Sequence, residues 1–291
     1  MKKCASEPDS VFKIAEQCVE IFLNSIGDDS STNDTLSDDE VHNLRVCTKK
    51  LRALLQVYRP CHSKKKVKFV EANIKALAKS YADQRDAHVQ YETLCHAVST
   101  FSQGHDDDMQ SLLDYYQNEK QNTRSQGAPI AAQAGFDQIL QTWQAKLKPV
   151  GKPDIKAGVD FAYTKARKLA SEAQSLDQDE AFHSCRKWVK YYRYQLNLLA
   201  QEKSDEDEAY VTRLTTLGEY LGVLNDRCVL ERSLGNLLDS RKAGGNAVDS
   251  NLENSGIQMQ SWLAEEKLQY KAQCNELFDE LFAHAHNPVK L

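Results

Sequence analysis

The chain has 291 residues, 41% hydrophobic and 27% charged, with only 12 Gly and 6 Pro and a formal net charge of -5. So little Gly and Pro excludes an all-β protein built on many tight turns and favours long helices, while the length suits one large domain or two ordinary ones. No stretch of about 18 apolar residues could cross a membrane, and the opening "MKKCASEPDS" lacks the apolar run of a secretory leader, so a soluble cytoplasmic protein is expected.

Helical periodicity predicts segments over roughly 10–26, 38–59, 64–82, 85–102, 107–125, 135–147, 156–174, 178–201, 206–223, 226–243 and 256–285. The prolines, at 8, 60, 129, 149, 153 and 288, all fall at segment edges. There a missing donor and a clash with the preceding turn would break a helix. The acidic runs "GDDSSTNDTLSDDE" and "QEKSDEDE" read as solvated loops, and the pattern is weakest over 103–135. "KPVGKPD", residues 148–154, reads as a linker that halves the chain. Eight cysteines, Cys4, Cys18, Cys47, Cys61, Cys95, Cys185, Cys228 and Cys274, include no CxxC pair. They are expected to be reduced, mostly core-facing thiols, and the short ligand pairs that zinc favours are missing.

The two halves share a pattern. His42-x-x-Arg45-x-x-x-Lys49-x-x-Arg52 recurs as His183-x-x-Arg186-x-x-x-Lys190-x-x-Arg193, each position displaced by 141. Leu51 then maps to Tyr192 and Leu55 to Leu196, and Asp86 and Asp226 follow at a displacement of 140. Two copies of one helical unit related by a pseudo-two-fold axis is the economical interpretation, a duplication and not a many-repeat solenoid.

At about 100° per residue, His42, Arg45, Lys49 and Arg52 share an arc of roughly 80° and span about 15 Å of helix. Leu44, Cys47, Leu51, Leu54 and Leu55 cluster on the other side. In the second copy Cys185, Tyr192, Leu196 and Leu199 do the same. A cationic face is ordinarily just a solvated one, but such faces usually mix signs at i, i+4. From Val41 to Pro60 there is no Asp or Glu. Repelling charges gathered twice at one spacing make sense if an external anion neutralises them. Arg offers planar forks, Lys a point charge, and His a donor whose protonation an anion favours. Metal binding by His42 and His183 is disfavoured, because Arg and Lys share their stripe and no carboxylate does. His62, His88, His96, His105, His284 and His286 are expected to be structural or surface groups.

The paired segments, with Arg85-Asp86 following the first and Asn225-Asp226 the second, resemble the CHAD family, the conserved histidine α-helical domain. The resemblance is carried by "HNLRVCTKKLRALLQVYRP" and "HSCRKWVKYYRYQLNLL" and runs from about Ser10 to about Leu281. It implies an all-α single domain over 1–291, made of two helical bundles of about four long helices each with internal pseudo-two-fold symmetry. The half-repeats would be about 10–148 and 154–285. It also implies binding of inorganic polyphosphate along a basic central surface, with association to polyphosphate granules. His42, Arg45, Lys49 and Arg52 would then meet His183, Arg186, Lys190 and Arg193 around one anion path. Lys50, about 100° off the stripe, would reach only its rim. Lys75, Lys79, Arg85, Lys165 and Arg167 would be secondary contacts from flanking helices, and Asp86 and Asp226 would either orient the basic groups or touch the ligand.

The expectation is therefore a non-enzymatic polyphosphate-binding module with no cofactor and no metal. Its affinity should fall with salt and weaken as His42 and His183 lose their protons. Two rivals are a phosphate-chain or nucleotide enzyme and a nucleic-acid binder. The first would need clustered carboxylates for Mg²⁺ or an activated nucleophile, and neither these nor a P-loop is apparent. The second could stack bases on Tyr191, Tyr192 and Tyr194, but Tyr192 falls on the core side and the chain is acidic.

Overall fold

The computed structural model describes residues 10–26, 35–101, 106–122, 129–200, 204–243 and 250–289, and every regular element among them is an α-helix. In chain order these are α1 (Ser10–Ser25), α2 (Asp38–Gln56), α3 (Lys64–Ser80), α4 (Ala82–Phe101), α5 (Asp106–Asn122), α6 (Pro129–Lys146), α7 (Lys152–Leu176), α8 (Asp179–Leu199), α9 (Asp205–Ala243) and α10 (Ser250–Leu281). The all-α expectation holds. No helix among the described residues is long and apolar enough to cross a membrane.

Local chemistry explains most of the ends. At α2 the Ser37 hydroxyl accepts from the Glu40 amide while the Glu40 carboxylate accepts from the Ser37 amide at 2.7 Å, a complete capping box. Asp38, Asp39 and Glu40 thus form the first turn of a helix, where the dipole favours them, and not a solvated loop. The acidic run that opens α9 does likewise, with Ser204 and Asp207 bonding reciprocally. Pro129 starts α6, and Pro153 lies in the first turn of α7, positions that need no amide donor. Asp177 closes α7 at φ 49, in left-handed geometry.

Two predicted segments, 206–223 and 226–243, are one helix of 39 residues. Asn225 and Asp226 look like a break in sequence, yet the Asn225 side chain binds His183 and Asp226 and leaves the backbone ladder alone. In the first half the equivalent stretch is divided at the buried Tyr81 into α3 and α4.

Apolar residues gather in three clusters. The first joins α1, α2, α3 and α6, with Tyr58 and Trp143 both fully buried and edge-on at 5.6 Å. The second joins α7, α8, the first half of α9 and the end of α10, around Phe182, Tyr192 and Phe278. The third packs α4 and α5 against the far half of α9 and the start of α10, through Leu94, Met109, Leu230 and Met259. The expected pair of bundles is therefore joined by a third core, which draws helices from both sides of the 148–154 segment. Burying each such large side chain stabilises by about 1.5–3 kcal/mol, so this shared cluster ties the halves firmly.

Two contacts fix α2 against the second half. Gln195 of α8 donates through Nε2 to the Ala53 carbonyl at 2.7 Å, in a fully buried setting. Gly158 of α7 lies so close to the end of α2 that a Cβ there would sit 2.5 Å from Val57 Cα. Of the described cysteines, Cys18, Cys47, Cys185 and Cys274 are buried, Cys95 and Cys228 half-buried and Cys61 exposed, all as free thiols.

Candidate anion-binding site

The apolar stripes of α2 and α8 enter the first and second cores, and the two helices pack on each other, which brings Lys49 and Lys190 of their basic stripes onto one face. On that face Lys190 sits between Arg186 and Arg193 of its own helix and Lys49 of α2. Burial, then repulsion by Arg186, Lys49 and Arg193, pushes the Lys190 ammonium down to about 7, with Asp226 of α9 opposing. Burial likewise lowers Arg186. Among the described residues no carboxylate lies within ion-pair distance of Arg186, Lys190 or Arg193, and the Nε atoms of both arginines are buried without a hydrogen-bond partner. Arg193 lies over the Tyr194 ring at 5.2 Å. Gly218 and Gly222, one turn apart on α9, present bare backbone to these guanidinium groups. A Cβ at Gly218 would be 3.6 Å from Arg193, and one at Gly222 3.9 Å from Arg186.

The first copy is arranged differently. Arg45 pairs with Asp86 at 3.3 Å, and Arg52 reaches Glu71 at 3.6 Å while lying 5.6 Å above the Tyr191 ring. Glu71 is only 6% exposed and also meets Arg59 at 3.4 Å and Lys75 at 3.3 Å. Burial would raise its carboxyl, but Lys75, Arg52 and Lys187 hold it below the ordinary value. Lys187 is lowered by burial, with Glu71 opposing and Arg52, Lys75 and Arg59 adding to the fall. Asp86 and Asp226 thus both bear on the matching arginines, one by direct pairing and the other at longer range.

Both motif histidines are exposed. Asn225 gives its Nδ2 to Asp226 at 3.2 Å, so its oxygen faces His183 Nδ1 at 2.5 Å and that nitrogen is the donor. Nε2 is the nitrogen left for other partners. No group of three or more His, Cys, Asp or Glu that could hold a metal occurs among the described residues.

The secondary candidates scatter. Lys50 bears on Cys18 and Cys47, toward α1 and away from the stripe. Lys75 belongs to Glu71. Lys79 is exposed in the last turn of α3. Lys165 lies over Phe161 at 5.9 Å, which itself packs on Trp188. Arg167 donates to the Phe282 carbonyl at 3.1 Å, beyond the end of α10. The Arg85 side chain lies outside the described residues.

The sequence did not single out Glu71, Arg59 or Lys187, and offered Tyr191 only as a base-stacking group. Two signals were present. Glu71 is the one acid in a helix with six lysines, on the side occupied by Val67, Val70 and Ile74, and Lys187 lies only about 40° from His183 on the helical wheel.

The ten helices among the described residues, two of them carrying matched basic stripes, define an all-α domain. The chain belongs to the CHAD domain family, whose profile matches residues 28–235. Solved structures agree in fold. A crystal structure of the CHAD domain from the plant Ricinus communis matches with a TM-score of 0.66 at 18% identity, over 97% of this chain and 93% of that one. PptA from Streptomyces chartreusis matches with a TM-score of 0.62 at 13% identity, over 95% of this chain and 99% of that one. No curated protein matches the sequence.

Proposed function

We propose that this protein binds inorganic polyphosphate on the face shared by α2 and α8 and acts there as a binding module, not as an enzyme. The observation that carries the proposal is the cluster of Arg186, Lys190 and Arg193, like charges drawn partly out of water, which have no carboxylate at ion-pair distance among the described residues and lie close to Lys49. Such a cluster is costly unless an anion enters it. A flexible chain with about one charge per phosphate supplies that anion repeatedly, through charge-assisted bonds and counterion release. Membership of the CHAD family supports the choice of polyanion, and a face set between helices suits a thin chain better than a duplex. His42 and His183, exposed at one end of each stripe, would add donors, and the protein would follow its ligand to polyphosphate granules in the cytoplasm.

Calorimetric titration with polyphosphate of defined length, ATP and single-stranded RNA, at two salt concentrations, tests this. The wild-type chain should prefer polyphosphate, lose affinity as salt rises, and lose most of it in a His42→Gln/Arg45→Gln/Lys49→Gln variant. Binding indifferent to salt, or a preference for RNA, would overturn the proposal. Steady phosphate release from polyphosphate in Mg²⁺ would favour the enzymatic alternative.

A further inference from the structure

The cationic face is not uniform, and Glu71 marks the change. Its carboxylate is 6% exposed and collects Lys75, Arg59 and Arg52 at 3.3, 3.4 and 3.6 Å, with Lys187 acting on it from α8. Four cations at this end therefore already have an anion that belongs to the chain. At the other end Arg186, Lys190 and Arg193 have none within ion-pair distance among the described residues. The duplication does not repeat the acid, since 141 residues beyond Glu71 the chain carries Thr212.

We infer that Glu71 is a specificity-determining residue that closes one end of the polyphosphate path. It acts as a resident stand-in for phosphate, so that ligand occupies the Lys49, Arg186, Lys190 and Arg193 end and stops short of Arg59 and Lys75. This rests on the polyphosphate reading above. The physical ground is direct. A phosphate entering beside a buried carboxylate meets a like charge at low dielectric, and the donors of Lys75, Arg59 and Arg52 that would have received it already engage Glu71. Arg52, held between Glu71 and the Tyr191 ring, stands at the boundary.

The test uses the full chain and polyphosphates of graded length. In wild-type protein affinity should level off once the chain fills the open end. In Glu71→Gln, four cations lose their internal partner. The levelling length should move to longer chains, long-chain affinity should rise about tenfold at low salt, and the salt dependence should steepen by about 2, since each added phosphate contact contributes close to one. Because removing a buried acid from among cations can unfold the protein, a second arm uses Arg59→Gln and Lys75→Gln in the wild-type background. These should alter polyphosphate affinity by less than about twofold, against roughly tenfold for Arg193→Gln. A folded Glu71→Gln with unchanged levelling length and salt dependence overturns the inference, as does an Arg59→Gln loss equal to that of Arg193→Gln. Absence of polyphosphate binding to wild-type protein instead defeats the function itself.

Discussion

Binding at this face should take up a proton, and Lys190 is the group that receives it. Burial, Arg186, Lys49 and Arg193 bring Lys190 down to about 7 in the ligand-free protein, and Asp226 opposes them only in part. At pH 8 such a group holds about 0.1 proton. Polyphosphate placed among these cations reverses the sign of the local field, so the complex should hold Lys190 fully protonated near neutrality. Titration at pH 8 in buffers of different ionisation enthalpy should therefore report uptake of about 0.9 proton per site. Affinity should fall about tenfold between pH 6 and 8 and about tenfold more by pH 9. Lys190→Arg, which keeps its charge throughout, should flatten this profile, while His42→Gln/His183→Gln should retain the uptake at pH 8. The ligand-free protein supplies an independent check. An unfolded lysine keeps its proton to about 10.5, so above about 7 the unfolded state binds more protons than the folded one. Stability should rise with pH through that window, and less so in Lys190→Arg. Uptake below about 0.3 proton at pH 8, with wild-type and Lys190→Arg affinities parallel in pH, would refute the reasoning.

The remaining predictions follow the same geometry. Asp226→Asn removes a carboxylate that raises Lys190, so the midpoint of proton uptake should move below its wild-type position in the same calorimetric titration. Arg186→Gln should weaken polyphosphate binding about tenfold and lower its salt dependence by about 1, read from titrations across salt. Gly158→Ala would ordinarily favour a helix by nearly 1 kcal/mol. Here the new methyl would meet the Val57 backbone at 2.5 and 2.6 Å, so thermal denaturation should show a loss of about 1–3 kcal/mol, and a raised Tm would contradict the packing of α7 on α2.

Much of this molecule could be read from the sequence because its signals are periodic. The apolar stripes of α2 and α8 place Leu44, Leu51, Cys185 and Tyr192 in the core, as the helical wheel requires, and the cationic stripes follow from the same wheel. The sequence fell short where a side chain's role is set by a distant partner. Asn225 looks like a helix breaker until His183 is seen to hold it. Lys75 and Arg167 look like ligand contacts until Glu71 and the Phe282 carbonyl are seen to claim them. The third core was likewise hidden. A helix of 39 residues can serve two clusters, and no pattern along α9 reports which neighbour covers each half.

The placement of the acids explains how an acidic chain can present a cationic face. Its acids are gathered where the backbone itself stabilises them, in first turns such as Asp38, Asp39 and Glu40 of α2 and Asp205 to Glu208 of α9. From Glu40 to Lys49 the helix rises about 14 Å, more than the Debye length of about 8 Å at physiological salt, so through solvent these acids scarcely weaken the face at Lys49. Acids close enough to matter are few and are divided unequally. Asp86 and Glu71 pair directly with the first copy's Arg45 and Arg52, while the second copy's Arg186 and Arg193 face Gly218, Gly222 and a more remote Asp226. Sequence symmetry at eight positions is thus converted into chemical asymmetry by the helices packed alongside, α3 and α4 for the first copy and α9 for the second. One copy holds its two arginines in internal pairs, and the other's two have no carboxylate at ion-pair distance among the described residues.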